Sequence, residues 1–197
     1  MRRWIVVTAC LAAFAWVPAA RAAQYQVDPD HTSVGFHIRH LFTQLGGRFD
    51  KFQGTIDFDP AHPEQAKVSG TIDASSINTN NEKRDTHLRS KDFFDVATYP
   101  QIIFTSTSAT QIDAAKHSGK MDGKLTIHGV ERPVVLDVAY LGAGKDPHGT
   151  ERAGFSASTT ISRKDFGVTW NAPMEAGGVL VGDEVTINLE IEAKAAN

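Results

Sequence analysis

Residues 33–40 read Ser-Val-Gly-Phe-His-Ile-Arg-His, and the alternation within them decides the fold. Successive side chains of an extended chain point to opposite faces. Val34, Phe36, Ile38 and His40 therefore share one face, and Gly35, His37 and Arg39 the other. The same period returns in Phe52-Gly54-Ile56-Phe58, in Val68-Gly70-Ile72-Ala74 and in a run opened by Ile102 and Phe104 after Pro100. It continues in Met121-Gly123-Leu125-Ile127, Val134-Leu136-Val138-Tyr140, Ala153-Phe155-Ala157-Thr159-Ile161 and Val185-Ile187-Leu189-Ile191. Turn-forming stretches separate these runs: Asp59-Pro60-Ala61-His62-Pro63, His128-Gly129-Val130 and Asp146-Pro147-His148-Gly149. The pattern predicts eight antiparallel strands, each with one wet and one buried face. Such strands can form a sandwich or a closed barrel. Closure is favoured because it leaves no exposed edges. An eight-stranded barrel is wide enough to be filled by side chains or to hold one ligand. Glycines 54, 70 and 123 fall on the apolar faces, where each marks either a tight corner or room for something to approach the backbone.

Two stretches break the alternation. Thr79 stands three residues before Glu82, the spacing of a capping box, and Asp85 and Arg89 are a favourable pair at helical spacing. A short helix over Thr79–Arg89 is expected at one barrel end, tied down by Leu88 and followed by Phe93 and Phe94. The second stretch, Arg163 through Phe166 and Gly167 to Trp170, reads as a turn or brief helix. Long connections of this kind are often lids or binding loops. The charged run around Arg84, His87 and Arg89 is thus open to two readings: a solvated helix with local pairs, or a gate whose cations meet a polar head group.

The N-terminus carries Arg2 and Arg3, an apolar run from Trp4 to Val17 and Ala20-Arg21-Ala22. This is the layout of a removable export signal, its apolar run too short to span a bilayer. Residues 1–22 are expected to be that signal and residues 23–197 a single domain in a periplasm, without stable membrane insertion. Cys10 is the only cysteine and lies inside the signal, so the domain has no disulfide, thiol nucleophile or thiolate metal site. The chain carries a net charge of −3, and removing Arg2, Arg3 and Arg21 makes the rest more negative. That balance argues against nucleic acid as a partner.

Catalytic and metal motifs are weak. His37 and His40 point to opposite strand faces, and no His-Glu-x-x-His run or cysteine pair is present. There is no Gly-x-Ser-x-Gly elbow, and Asp28, His31 and Ser33 lie too close on one strand to converge as a triad. The chain is read as a non-enzyme with no metal and no cofactor. Two competing readings are a hydrolase or metal-dependent enzyme using His31, His40 and His87, and a stress-protective interaction module with a filled barrel.

Several blocks resemble the YceI-like family, bacterial lipocalin-like polyisoprenoid-binding domains. They are Asp28-x-x-His31-x-Ser33, Gly47-Arg48-Phe49 with Phe52-x-Gly54, and Arg84-Asp85-x-His87-Leu88 running into Asp92-Phe93-Phe94-Asp95, with Tyr99-Pro100 and Phe104 behind. Leu125 to Val130, Arg132-Pro133-Val134, Gly154-Phe155-x-Ala157, Arg163-x-Asp165-Phe166-Gly167 and Val181 to Val185 complete the set. The one departure is Thr32, where a serine is common; Ser33 stands beside it. The resemblance implies an eight-stranded lipocalin-like β-barrel with a helical lid, a long-chain isoprenoid or similar lipid as ligand, and a second copy of the chain as a partner. It supplies no catalytic set. The ligand-binding side chains expected on this reading are Phe36, Ile38, His40, Phe52, Ile56, Ile72, Arg84, Leu88, Phe93, Phe94, Phe104, Leu125, Ile127, Phe155, Ile161, Phe166 and Trp170. Among these, His40 and Arg84 are candidates, with Arg89, to meet a head group.

Overall fold

All eight alternating runs are strands, and three of them continue across a break into a segment that the alternation did not mark. A computed structural model describes residues 23–174 and 177–196, so the expected export signal lies outside the described residues. β1 (Ala23–Val27) and β2 (Ser33–His40) run in the same direction along one side of β11 (Val181–Ala195). Tyr25 pairs with Ala195 and Val27 with Ala193; after a gap, Ser33 pairs with Glu190 and His40 with Val181. β3 (Thr43–Phe49) and β4 (Phe52–Phe58) form the next interrupted strand, and β5 (Lys67–Asp73) and β6 (Ile77–Asn78) the third. The remaining strands are unbroken: β7 (Gln101–Asp113), β8 (Ser118–Ile127), β9 (Val130–Lys145), β10 (Glu151–Ser162) and β11. Each pairs antiparallel with the next, and β11 returns to β1 and β2. The result is a closed eight-stranded antiparallel barrel in up-and-down order.

The first break is where the ring closes, and it leaves Glu192 of β11, paired with Gly154 on β10, without a neighbour on the side of β1 and β2. Side chains fill the gap. Thr32 Oγ1 donates to the Glu192 carbonyl and accepts from its N–H, both at 3.1 Å, and the Asp28 N–H donates to the same carbonyl at 2.8 Å. Both backbone groups of Glu192 are thereby satisfied, as buried ones must be. The Asp28 carboxylate is buried and accepts from Arg152 at 2.7 Å, Lys194 at 3.0 Å and His31 Nδ1 at 2.9 Å. Arg152 also donates to Asp146 at 2.8 Å. The Asp28-x-x-His31 motif is therefore a clasp between the two ends of the chain, placed outside the apolar interior.

The helix α1 spans Glu82–Arg89, and its N-cap is Asn81, whose side chain accepts from the Arg84 N–H at 3.0 Å. The expected Thr79–Glu82 capping box does not form, because Thr79 is buried and bonds the buried Asp85 carboxylate through its N–H at 3.0 Å and through its hydroxyl. That bond also removes the expected Asp85–Arg89 pair. Arg89 instead pairs with Glu82 at 3.2 Å and donates to the carbonyls of Ser75 and Ile77. The second break in the alternation is a short 3-10 turn, Arg163–Phe166, ended by Gly167 in the left-handed region. Buried Arg163 fastens the following loop, donating to Gly182 O, Val168 O and Trp170 O at 2.8–2.9 Å.

The apolar interior divides into two packed clusters. One, at the helix end, is built on Phe49, Ala74, Ile77, Ile102, Leu125, Ile127 and Phe166. The other, toward the opposite end, is built on Tyr25, Ile56, Ala153 and Ala193, with Phe58, Tyr140 and Phe155 against it.

The clasp makes stability depend on pH. Burial opposes ionisation of Asp28, but the hydrogen bonds from Arg152, His31 and Lys194 outweigh it and hold the carboxyl well below its usual range. Arg152 also holds Asp146 down to about 2. Both carboxylates are depressed in the folded chain, so their contribution is complete above the unfolded value of about 4 and is lost as pH falls toward 2. Denaturant unfolding at pH 7 and pH 3 will show a lower midpoint at pH 3. Asp28→Asn will lower the denaturation midpoint at pH 7, because Arg152, Lys194 and His31 lose the buried carboxylate they share, and will flatten the pH dependence.

Candidate functional site

Between and around the two clusters runs a cavity of about 840 Å³. Its size follows from the fold: an eight-stranded ring has an interior that side chains just fill, and here glycines and small residues leave part of it open. Gly54 and Gly70 face one another across β4 and β5, so the wall at that point is bare backbone. A Cβ added at Gly70 would meet only Gln53 O at 3.8 Å, which leaves the space to the cavity. Gly123 is different. It does not line the cavity, and a Cβ there would overlap the Phe104 ring, so this glycine exists to seat an aromatic side chain.

The structure brings all seventeen expected residues to this one cavity: Phe36, Ile38, His40, Phe52, Ile56, Ile72, Arg84, Leu88, Phe93, Phe94, Phe104, Leu125, Ile127, Phe155, Ile161, Phe166 and Trp170. Eleven are supplied by strand positions that alternate inward. The other six come from α1, the segment after it and the Arg163–Trp170 turn. The alternation missed further lining side chains because they sit outside its runs, among them Leu45 on β3, Lys83 on α1 and Leu180 before β11. The lining is apolar along the barrel and becomes polar at the ends. His40, Asn81, Lys83 and Arg84 lie at the helix end, and Asp113 and His117 at the other.

The candidate head-group residues behave differently from one another. Arg84 lines the cavity, but its guanidinium is bonded to Thr79, through Nε to Oγ1 and through a terminal nitrogen to the carbonyl, both at 2.7 Å. Arg89 is held away from the cavity by its bonds to Ser75, Ile77 and Glu82. His40 lines the cavity rim, and its carbonyl accepts from the Thr43 hydroxyl at 3.5 Å. His87 is held by Asp92 at 2.8 Å and meets the rings of Phe93 and Trp170 edge-on at 5.0 and 4.9 Å. This cluster ties α1 to the loop after Arg163 and closes part of the helix end.

The histidines invoked for catalysis are not gathered. His31 belongs to the clasp, while His40 and His87 stand on the rim. Asp28, His31 and Glu192 do bring ligand atoms within 4.8 Å of one another. However, Arg152 and Lys194 already neutralise the Asp28 oxygens, so the cluster carries its own cations and does not fit a metal ion.

A closed antiparallel barrel enclosing an apolar cavity with polar ends defines a small-molecule binding fold of lipocalin type. The YceI-like domain model matches residues 25–193, and the chain belongs to that family. Protein YceI of Salmonella arizonae is 44% identical over 156 residues, covering 77% of this chain and 79% of the relative. BcnA of Burkholderia cenocepacia superposes with a TM-score of 0.73 at 28% identity, over 84% of this chain and 98% of that one. A polyisoprenoid binding domain from Saccharophagus degradans shares the fold, with a TM-score of 0.61 at 19% identity over 89% of this chain and 100% of that one.

The two interior glycines give opposite expectations. Gly123→Ala will destabilise the fold by about 1–3 kcal/mol through overlap with Phe104. Gly70→Phe will fold, because its side chain enters open cavity. Thermal unfolding of the two variants separates them; a Gly70→Phe barrel that fails to fold would show that this part of the interior is already filled.

Proposed function

We propose that this protein binds a long-chain isoprenoid, or a lipid of similar apolar bulk, in the barrel interior and carries it outside the cytoplasm. The observation that carries the reading is the continuous apolar cavity running between two packed core clusters. Taking the roughly 30 Å³ that a water-sized group occupies in a liquid, its 840 Å³ accommodates about 28 methylene-sized groups, or between five and six isoprene units. Each buried five-carbon unit contributes roughly 4 kcal/mol. A tail of about five units therefore reaches the practical ceiling of non-covalent affinity before the costs of association are subtracted.

Such binding is non-directional, so tail length and bulk are selected more strongly than fine chemistry. The polar residues at the cavity ends suit a ligand with one polar terminus. The name of the Saccharophagus degradans domain, which is that of a polyisoprenoid binder, supports the choice of isoprenoid, and the export signal expected over residues 1–22 supports a periplasmic location. A carrier needs binding without turnover, and the scattered histidines suit that role.

Trp170 is the one tryptophan within residues 23–197 and lines the cavity, so its emission reports occupancy. Delipidated protein titrated with geranylgeraniol will show a saturable change in Trp170 emission, and Gly70→Phe will weaken it at least tenfold while remaining folded. Affinity will rise with chain length from two isoprene units and level off near five or six. An emission unchanged by any chain length would overturn the proposal.

A further inference from the structure

We propose that the tip of the β2–β3 hairpin, Leu41-Phe42, together with the adjoining Val179-Leu180, docks the helix end of the barrel onto an anionic lipid bilayer. The inference rests on the reading of the cavity as a lipid site, and it assigns the route by which such a ligand enters and leaves.

The tip breaks the rules that a hairpin ordinarily obeys. Two-residue β-turns favour Asn-Gly or Gly-containing pairs, because they need positive φ. The β8–β9 turn follows this with His128 and Gly129, both at positive φ. The β2–β3 turn instead sets Leu41 at a φ of 53°, a region costly for a branched apolar residue, and follows it with Phe42 at 91% exposure. Neither choice helps the chain fold. Phe42 buries almost nothing, and Leu41 is strained where glycine would be relaxed. Departures of this kind, with no return in stability, collect at functional positions.

The tip is part of a larger apolar surface. The Leu41 N–H donates to the Leu180 carbonyl at 2.9 Å, and Val179, itself 40% exposed, bridges to Pro173. The surface is also continuous with the cavity, since His40 and Leu45 on the hairpin and Leu180 beside it are lining residues. A tail leaving the barrel here passes Leu45 and Leu180, beside a rim that carries His40, Lys83 and Arg84.

Charge supplies the choice of surface. Arg48 is paired with Asp50 at 2.7 Å, which leaves Arg39 as the hairpin's cation nearest the tip, in a chain whose net charge is −3. Exposed Arg39 donates to the Leu41 carbonyl at 2.9 Å, directly behind the tip, and exposed Lys83 stands on the same rim. An apolar tip backed by cations is the pattern that inserts at the interface of anionic lipid.

Flotation with vesicles of phosphatidylglycerol and phosphatidylethanolamine, compared with phosphatidylcholine alone, tests the inference. The wild-type protein will float with the anionic vesicles more than with the neutral ones. Phe42→Asp will lower flotation at least tenfold and slow ligand transfer from vesicles, yet leave the Trp170 titration with soluble geranylgeraniol within twofold. Leu41→Asn combined with Phe42→Gly will raise the thermal midpoint while also abolishing flotation. Flotation of Phe42→Asp equal to wild type would overturn the proposal. So would a wild-type dimer, seen by light scattering, that Phe42→Asp splits without changing flotation, since the patch then belongs to a second copy. Loss of flotation in Phe42→Asp alongside a wild type that never titrates with geranylgeraniol would uphold the docking surface and overturn the cavity reading instead.

Discussion

Everything in this barrel depends on joining the first strand to the last. The ring closes where β1 and β2 lie against β11, and the closure is interrupted at residues 28–32, where the sheet has no ladder of its own. Thr32 substitutes for the missing ladder at Glu192, and the buried Asp28 carboxylate gathers Arg152, Lys194 and His31 around the gap. Arg152 lies on β10, so the clasp links three strands from opposite ends of the chain. An open sheet of the same sequence would expose two edges and lose the enclosed volume. The apolar cavity is in this sense a product of a polar cluster outside it.

Closure explains why the interior is both packed and open. Two clusters of large side chains brace the barrel, and the wall between them is thinned by the opposed pair Gly54 and Gly70. Elsewhere, glycine serves packing: Gly123 seats the Phe104 ring, and a Cβ at Gly47 would overlap the ring of Phe36. Glycines of the same apparent pattern thus have opposite consequences. Of the opposed pair, Gly70 leaves the space of its missing Cβ open, whereas at Gly54 that space is taken by Ser69 O and Val27.

The strands were legible because period-two alternation is local and repeated. All eight runs are present, and the strand residues expected in the pocket line the cavity, since inward-facing positions follow directly from the alternation; Arg84, Leu88, Phe93, Phe94, Phe166 and Trp170 reach it from the helix and the turns instead. What escaped was non-local or locally degenerate. β1 and β3 are short or glycine-rich, and β6 is two residues long, so none shows a clear period. Thr79 and Asn81 are equally good caps by residue type, and the choice fell to Asn81 because Asp85 is buried against Thr79. The role of Asp28 required a partner 124 residues away, and no spacing rule reaches that far. The proposed ligand class came from the family resemblance, because alternation alone leaves it open.

The central claim is that the space between the clusters holds a long apolar molecule. The most direct measurement is native mass spectrometry of the freshly purified protein, followed by denaturation and identification of whatever is released. The account predicts a bound species of about 25–30 carbon atoms within the barrel's reach, or a longer chain partly enclosed, with a single polar terminus. Repeated preparations at the bare protein mass that also fail to take up such a chain when it is offered would contradict it.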